Sequence, residues 1–226
     1  MISQARTARP RKIPVPGGVW NSATRIVAST VGVLAGLLGM EHGYLETLQG
    51  NVTPGSILIF AMGPPCQATR VWNGCEPAMT IMPNFFVTGV LALIVSFIVI
   101  LWAAAFVQRK NGGLVLILLS IMLFLVGGGF ASAEVGIIAG VAGTRIKAPF
   151  TWWRAHFSVN SRRFLVALWP WALIAFLLWT PGESVLGHFF NEYLLNLGLV
   201  SLFFTLGLVL LTVLTGFAYD IQRRDQ

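Results

Sequence analysis

Two histidines in this chain each stand four residues before a glutamate: His42 before Glu46, and His188 before Glu192. On a helix, residues four apart share one face. Imidazole and carboxylate together suit a zinc or iron ion, or a proton relay inside a membrane protein. If a metal ion is bound, its candidate ligands are His42, Glu46, His188 and Glu192. Glu41, directly before His42, and Glu134, inside a later apolar run, are candidates for the same polar cluster, and Gln49 continues the His42–Glu46 face. The spacing is a weak signal, because many helices that carry His and Glu meet it by chance. The plainer and preferred reading is that these side chains cap helix ends and meet water.

Cys66 and Cys75 are the only cysteines. Their C-x8-C spacing matches no common zinc knuckle. It is also wider than the C-x-x-C of a redox pair. In an oxidising compartment the expectation is a disulfide between them.

The elements that must position these residues are set by composition. The chain is 56% apolar and only 10% charged, against about 25% charged in an ordinary soluble domain. So few charges cannot cover a fold of this size in water, and lipid is the expected solvent. The net charge of +7 does not point to a nucleic-acid partner, because the bases flank apolar runs rather than forming a basic, aromatic-laced face. Every Lys and Arg except Arg70 falls into one of four clusters. The first is Arg6, Arg9, Arg11, Lys12 and Arg25. Arg109 with Lys110 form the second, and Arg145, Lys147, Arg154, Arg162 and Arg163 the third; Arg223 and Arg224 complete the set. Basic clusters stay cytoplasmic, where they meet anionic headgroups.

A spanning helix needs about 20 apolar residues. Spans are expected at about 24–45, 84–107, 114–130, 133–146, 164–180 and 195–219. The first resembles a signal-anchor that stays uncleaved, since no small-x-small site follows its apolar part. Residues 46–82 are rich in Pro and Gly and read as an irregular outer loop, with Ile57–Met62 as a strand or interfacial segment. Leu114–Gly143 is apolar for 30 residues, too long for one upright crossing. Gly127, Gly128 and Gly129 interrupt it. One long tilted helix would put the bases of 145–163 outside, so a hairpin turned at the glycines is preferred. Its fourth segment is short enough to be re-entrant. Residues 147–163 read as an interfacial stretch with Trp152 and Trp153 in the headgroup belt. Pro170 is expected to bend the fifth span, and Pro181 and Gly182 to close it. Residues 181–196 would then form a short outer loop.

The expected fold is therefore an all-α integral membrane protein of about six transmembrane segments. It has one domain (24–219), a basic tail (1–23) and a short tail (220–226), with both termini cytoplasmic in a plasma (inner) membrane. Small-xxx-small pairs let helices approach closely. Gly32, Gly36, Gly39 and Gly43 in the first span, and Gly136 and Gly140 in the fourth, predict either contact between those two segments or a face for a homo-oligomer or membrane-protein partner. No P-loop, G-x-S-x-G or H-E-x-x-H motif is present. The centres of the second, third, fifth and sixth spans lack ionisable groups, which counts against a proton-coupled pump. Composition leaves three functional classes. The first is a structural, accessory or partner-binding membrane protein, which is preferred. The second is a membrane enzyme with a polar or metal site on the outer face, and the third a small oligomeric transporter or channel.

Overall fold

The computed structural model describes residues 21–61, 76–190 and 198–225. In chain order these form α1 (Ser22–Thr47), β1 (Leu58–Phe60), β2 (Pro77–Met79), α2 (Phe85–Ala105), α3 (Gly112–Leu125), α4 (Phe130–Thr144), α5 (Thr151–His156), α6 (Val159–Phe189) and α7 (Gly198–Asp225). The protein is mostly helical, and four of its helices, α1, α2, α6 and α7, are long and apolar enough to cross a membrane.

The run 114–143 is broken as its glycines predict, and the single long helix is excluded. However, α3 and α4 hold only 14 and 15 residues. At 1.5 Å per residue they are about 21–22 Å long, short of a hydrocarbon core of about 30 Å. Of the six expected segments, four are thus helices of spanning length, and the third and fourth form a hairpin of two shorter helices. The hairpin is antiparallel: Gly113 lies against Gly140 and Thr144, and Ser120 against Gly136. Its turn needs glycine, because Gly127 and Gly129 have φ of 91° and 86°, in the region costly for side chains with a Cβ.

Small residues bring the helices together. Gly36 and Gly43 of α1 face Ile100 and Ala92 of α2, while Gly39 meets both Ser96 and Leu123. Gly32 touches Ala139, and Gly136 lies close to Ala35, so α1 and α4 do meet as the glycine pattern implies. Gly140 is filled by Ile117 of α3. All six glycines have close neighbours within the chain. The buried stripe of α1 runs through Val27, Val31, Ala35 and Gly39, and it packs with Val95, Val99 and Ala103 of α2, Leu116 and Leu123 of α3, and Val209 and Phe217 of α7.

The segment Ile57–Met62 does contain a strand. β1 pairs antiparallel with β2, with Ile59 opposite Ala78. The sheet edge continues into the glycine turn through a Thr80–Val126 bridge, Gly127 N donating to Met79 O at 2.9 Å and Ile81 N donating to Leu125 O at 3.1 Å.

The fifth span does not close at Pro181. α6 runs unbroken through Pro170 and Pro181 to Phe189. Thr180 Oγ1 donates to Phe176 O at 3.0 Å. Beyond the proline, Glu183 accepts from Ser201 and Thr205 of α7. These contacts hold the helix through a residue that lacks an N–H. The expected loop 181–196 is accordingly helical as far as Phe189.

The opposite end of the bundle is tied by capping. Asp220 of α7 accepts from Ala23 N and Thr24 N at the start of α1. Asn21 Nδ2 donates to the Arg145 and Ala148 carbonyls at the end of α4. Arg154 and Arg162 bridge to Asp225 at 2.8 and 2.5 Å. Trp153 does not simply lie in a headgroup belt: its ring packs on Phe217, while Trp152 is exposed and stacked on His156.

Candidate functional site

His42 and Glu46 lie on the buried stripe of α1, three and seven residues after Gly39. That phase turns both side chains into the protein. His42 is 2% exposed and Glu46 0%. His42 Nδ1 stands 3.4 Å from Glu46 Oε1. Neither carboxylate oxygen of Glu46, nor His42 Nδ1, has an aligned hydrogen-bond partner. An isolated buried charge would be very costly. The stable forms of the pair are therefore imidazolium with carboxylate, or imidazole with carboxylic acid, and each holds one proton between the two groups.

The rest of the site comes from elements that pack over this face. The ring's other nitrogen, Nε2, is 3.1 Å from the carbonyl of Glu76, just before β2. The Glu76 carboxylate in turn accepts from Ala131 N at 2.7 Å. That N–H lies in the first turn of α4, whose N-cap Gly129 supplies no side chain, so Glu76 does the capping and its charge meets the positive end of the helix. Burial raises the pKa of Glu76, and the nearby charges of Glu41 and Glu183 raise it further; His42 and the Ala131 N–H act in the opposite sense. Gly127 and Gly129 close the cluster. A Cβ on Gly127 would stand 2.5 and 2.6 Å from the two Glu46 oxygens, and one on Gly129 would be 2.9 Å from the His42 ring. Thr88 and Thr80 share a 2.7 Å hydrogen bond beside them.

The sequence-based candidates sort as follows. His42 and Glu46 come together as their spacing implies, but buried, not capping a helix end in water. Glu41 is half-buried, and its charge reaches Glu76. Glu134 does not join: it is exposed on α4, because the buried face of that helix is formed by Ala133, Gly136 and Gly140. Gln49 serves the loop, donating to the carbonyls of Phe60 and Ala61 at 3.0 and 2.6 Å. The His188 side chain, Glu192, Cys66 and Cys75, and with them the second His–Glu pair and the expected disulfide, lie outside the described residues. Among the described residues, no three His, Cys, Asp or Glu converge to hold a metal ion.

Two groups escaped the sequence reading. Nothing in the local pattern around Glu76 marks it as the third member of the cluster. Glu183 bonds Ser201 and Thr205, and Thr205 accepts from Trp179 Nε1 at 2.8 Å, giving α6 and α7 a polar seam. Helical spacing offered a signal there: Trp179 and Glu183 are four apart, as are Ser201 and Thr205.

The chain matches no family model, no curated protein and no solved structure.

Proposed function

We propose that this chain is a multi-pass inner-membrane protein of accessory, partner-binding type, which presents its outer loop on a rigid base. In this reading the chain makes six membrane segments, two of them short, and both termini are cytoplasmic. Support for that orientation comes from the contacts among Asn21, Arg145, Asp220, Arg223 and Asp225, which gather the basic clusters at one end of the bundle.

The carrying observation is that the His42–Glu46–Glu76 cluster is turned onto the chain's own backbone. His42 meets the Glu76 carbonyl, Glu76 caps α4, and Gln49 holds β1. β1 and β2 are thereby fixed to α1 and to the glycine turn, and in this reading the outer loop 46–82 is the element that binds a partner. A photocrosslinking residue at Gln67 or Thr69 should capture a discrete protein in native membranes. The adduct should weaken when Glu46→Ala loosens the base. Absence of any adduct, together with solute flux through the purified chain in liposomes, would overturn the proposal.

A second reading, a small proton-handling transporter, is favoured by one observation: Glu46 is fully buried in a helix of spanning length, beside His42, with both oxygens lacking donors. Intramembrane ionisable groups of this kind often mark proton pathways. The flux measurement separates the two readings.

A further inference from the structure

The end of the bundle that gathers the bases contains a cavity of about 480 Å³, within the range of about 300–1,000 Å³ typical of small-ligand sites. It lies between the α2–α3 turn and the end of α4. Four of its lining residues are cationic, Arg109, Lys110, Arg145 and Lys147, and none is acidic. Arg109, Lys110 and Arg145 are exposed on its rim, and like charges gathered on one rim are eased when an anion binds among them.

The backbone adds to the same field. The cavity wall includes Gly112 and Gly113, the first residues of α3. That helix has no side-chain cap and no acid in its first turn; Gly112 N donates to Arg109 O at 3.0 Å, and the positive end of the helix dipole lies at the cavity wall. Asn111 adopts a left-handed conformation, φ 61°, which tightens the turn that carries Arg109 and Lys110. Arg109 is steadied against the Phe106 ring at 4.6 Å, and Trp102 Nε1 donates to Gly112 O at 2.9 Å. Glycine is required at 113, where a Cβ would press on the α4 backbone, 2.5 Å from Gly140 O. This close approach brings the Arg145–Lys147 end of α4 to the α2–α3 turn.

We propose that this cavity binds a phosphate-bearing anion, either the headgroup of an anionic membrane lipid or a free phosphate. The lip of the cavity favours the lipid source. Leu114 lines it and is 52% exposed, and Leu118, one turn further along α3, is 64% exposed. An acyl chain lies naturally along that wall while its phosphate meets the bases. Basic pockets at the cytoplasmic ends of membrane helices suit such headgroups, with guanidinium groups well matched to phosphate oxygens.

The test uses the full chain purified in a zwitterionic detergent, with binding followed by native mass spectrometry. Phosphatidylglycerol, phosphatidylcholine and inorganic phosphate are titrated separately. Phosphatidylglycerol should bind saturably and at least about tenfold more tightly than phosphatidylcholine. Arg109→Gln with Arg145→Gln should weaken it by about tenfold or more, the effect of removing charge-assisted bonds. Arg163→Gln with Arg223→Gln removes the same charge from the same end of the bundle and should leave binding within about twofold. Lys110→Gln, on the exposed turn, supplies the reading if the double variant fails to fold. Displacement of the lipid by inorganic phosphate assigns the site to free phosphate; lipid binding that phosphate leaves unchanged assigns it to the headgroup. Equal weakening in the two double variants, or saturable binding of neither ligand, would overturn the proposal.

Discussion

Asp220 Oδ2 accepts two hydrogen bonds from Thr24, one from the backbone N–H and one from Oγ1, both at 2.7 Å and across 196 residues of sequence. Oδ1 takes a third from Ala23 N at 3.1 Å. The last helix thus caps the first, and it does so with a charge placed at the positive end of α1. Asp220→Ala strands those buried donors and should cost about 2–4 kcal/mol of stability. Asp220→Asn keeps an acceptor and should cost about half as much. Thermal unfolding in detergent reads both, and equal losses would show that a neutral acceptor cannot replace the carboxylate.

Gly127 is constrained twice, by its φ of 91° and by the Glu46 carboxylate beneath it. Gly127→Ala should destabilise the protein by about 2–4 kcal/mol, combining left-handed strain with overlap. Only the overlap depends on Glu46. The double variant Gly127→Ala with Glu46→Ala should therefore cost less than the sum of the single changes, and a double-mutant cycle on thermal stability measures the coupling. Strict additivity would place the whole cost in the backbone and in the Thr88 methyl, which the same Cβ would also overlap.

The parts of this fold that were legible in sequence are those fixed by local pattern. The triple glycine broke 114–143 because positive φ is a local demand. Basic clusters and apolar lengths located the long helices. Pro181 misled, because Ser201 and Thr205, distant in sequence, anchor the helix beyond it. Glu134 misled for a related reason: its carboxylate lies near the right end of α4 but on the wrong face. The burial of His42 could have been read from its phase, since it follows Gly39 by three residues on the stripe that also holds Gly32 and Gly36. Glu76 could not, because its place depends on β1–β2 pairing and on the turn that bridges to Thr80.

Glu76 makes the stability of the β1–β2 end of the bundle depend on pH. Its folded-state pKa is raised, chiefly by burial. The folded protein therefore binds this proton more tightly than the unfolded chain. The resulting stability is fully present below the ordinary glutamate pKa of about 4.3, and it is lost as pH rises through the raised folded value. Glu76→Gln keeps an acceptor for Ala131 N–H and removes the titration. Melting temperature plotted against pH should fall on the alkaline side of this window in the native chain and flatten there in the variant. Identical slopes would remove Glu76 from the pH response.

The His42–Glu46 pair separates a structural clamp from a proton site. His42→Ala leaves a buried carboxyl without its partner, and Glu46→Ala leaves a buried imidazole. Each should destabilise the protein by about 3–5 kcal/mol if the pair is ionic. Replacing both with apolar groups of similar volume, His42→Phe with Glu46→Leu, removes the polarity together with its desolvation penalty, and stability should return close to that of the native chain. Under the clamp reading this double variant loses the contact between His42 and the Glu76 carbonyl, so crosslinks from Gln67 or Thr69 should weaken although the fold is stable. Under the proton reading the fold survives but proton uptake by the purified protein, followed with a pH indicator, falls by the one proton the pair holds, and any coupled flux disappears. A stable double variant with weakened crosslinking, from a native chain that carries no flux, identifies a clamp. A stable double variant that has lost flux identifies a proton site, because only the charge-bearing atoms have been removed from an intact fold.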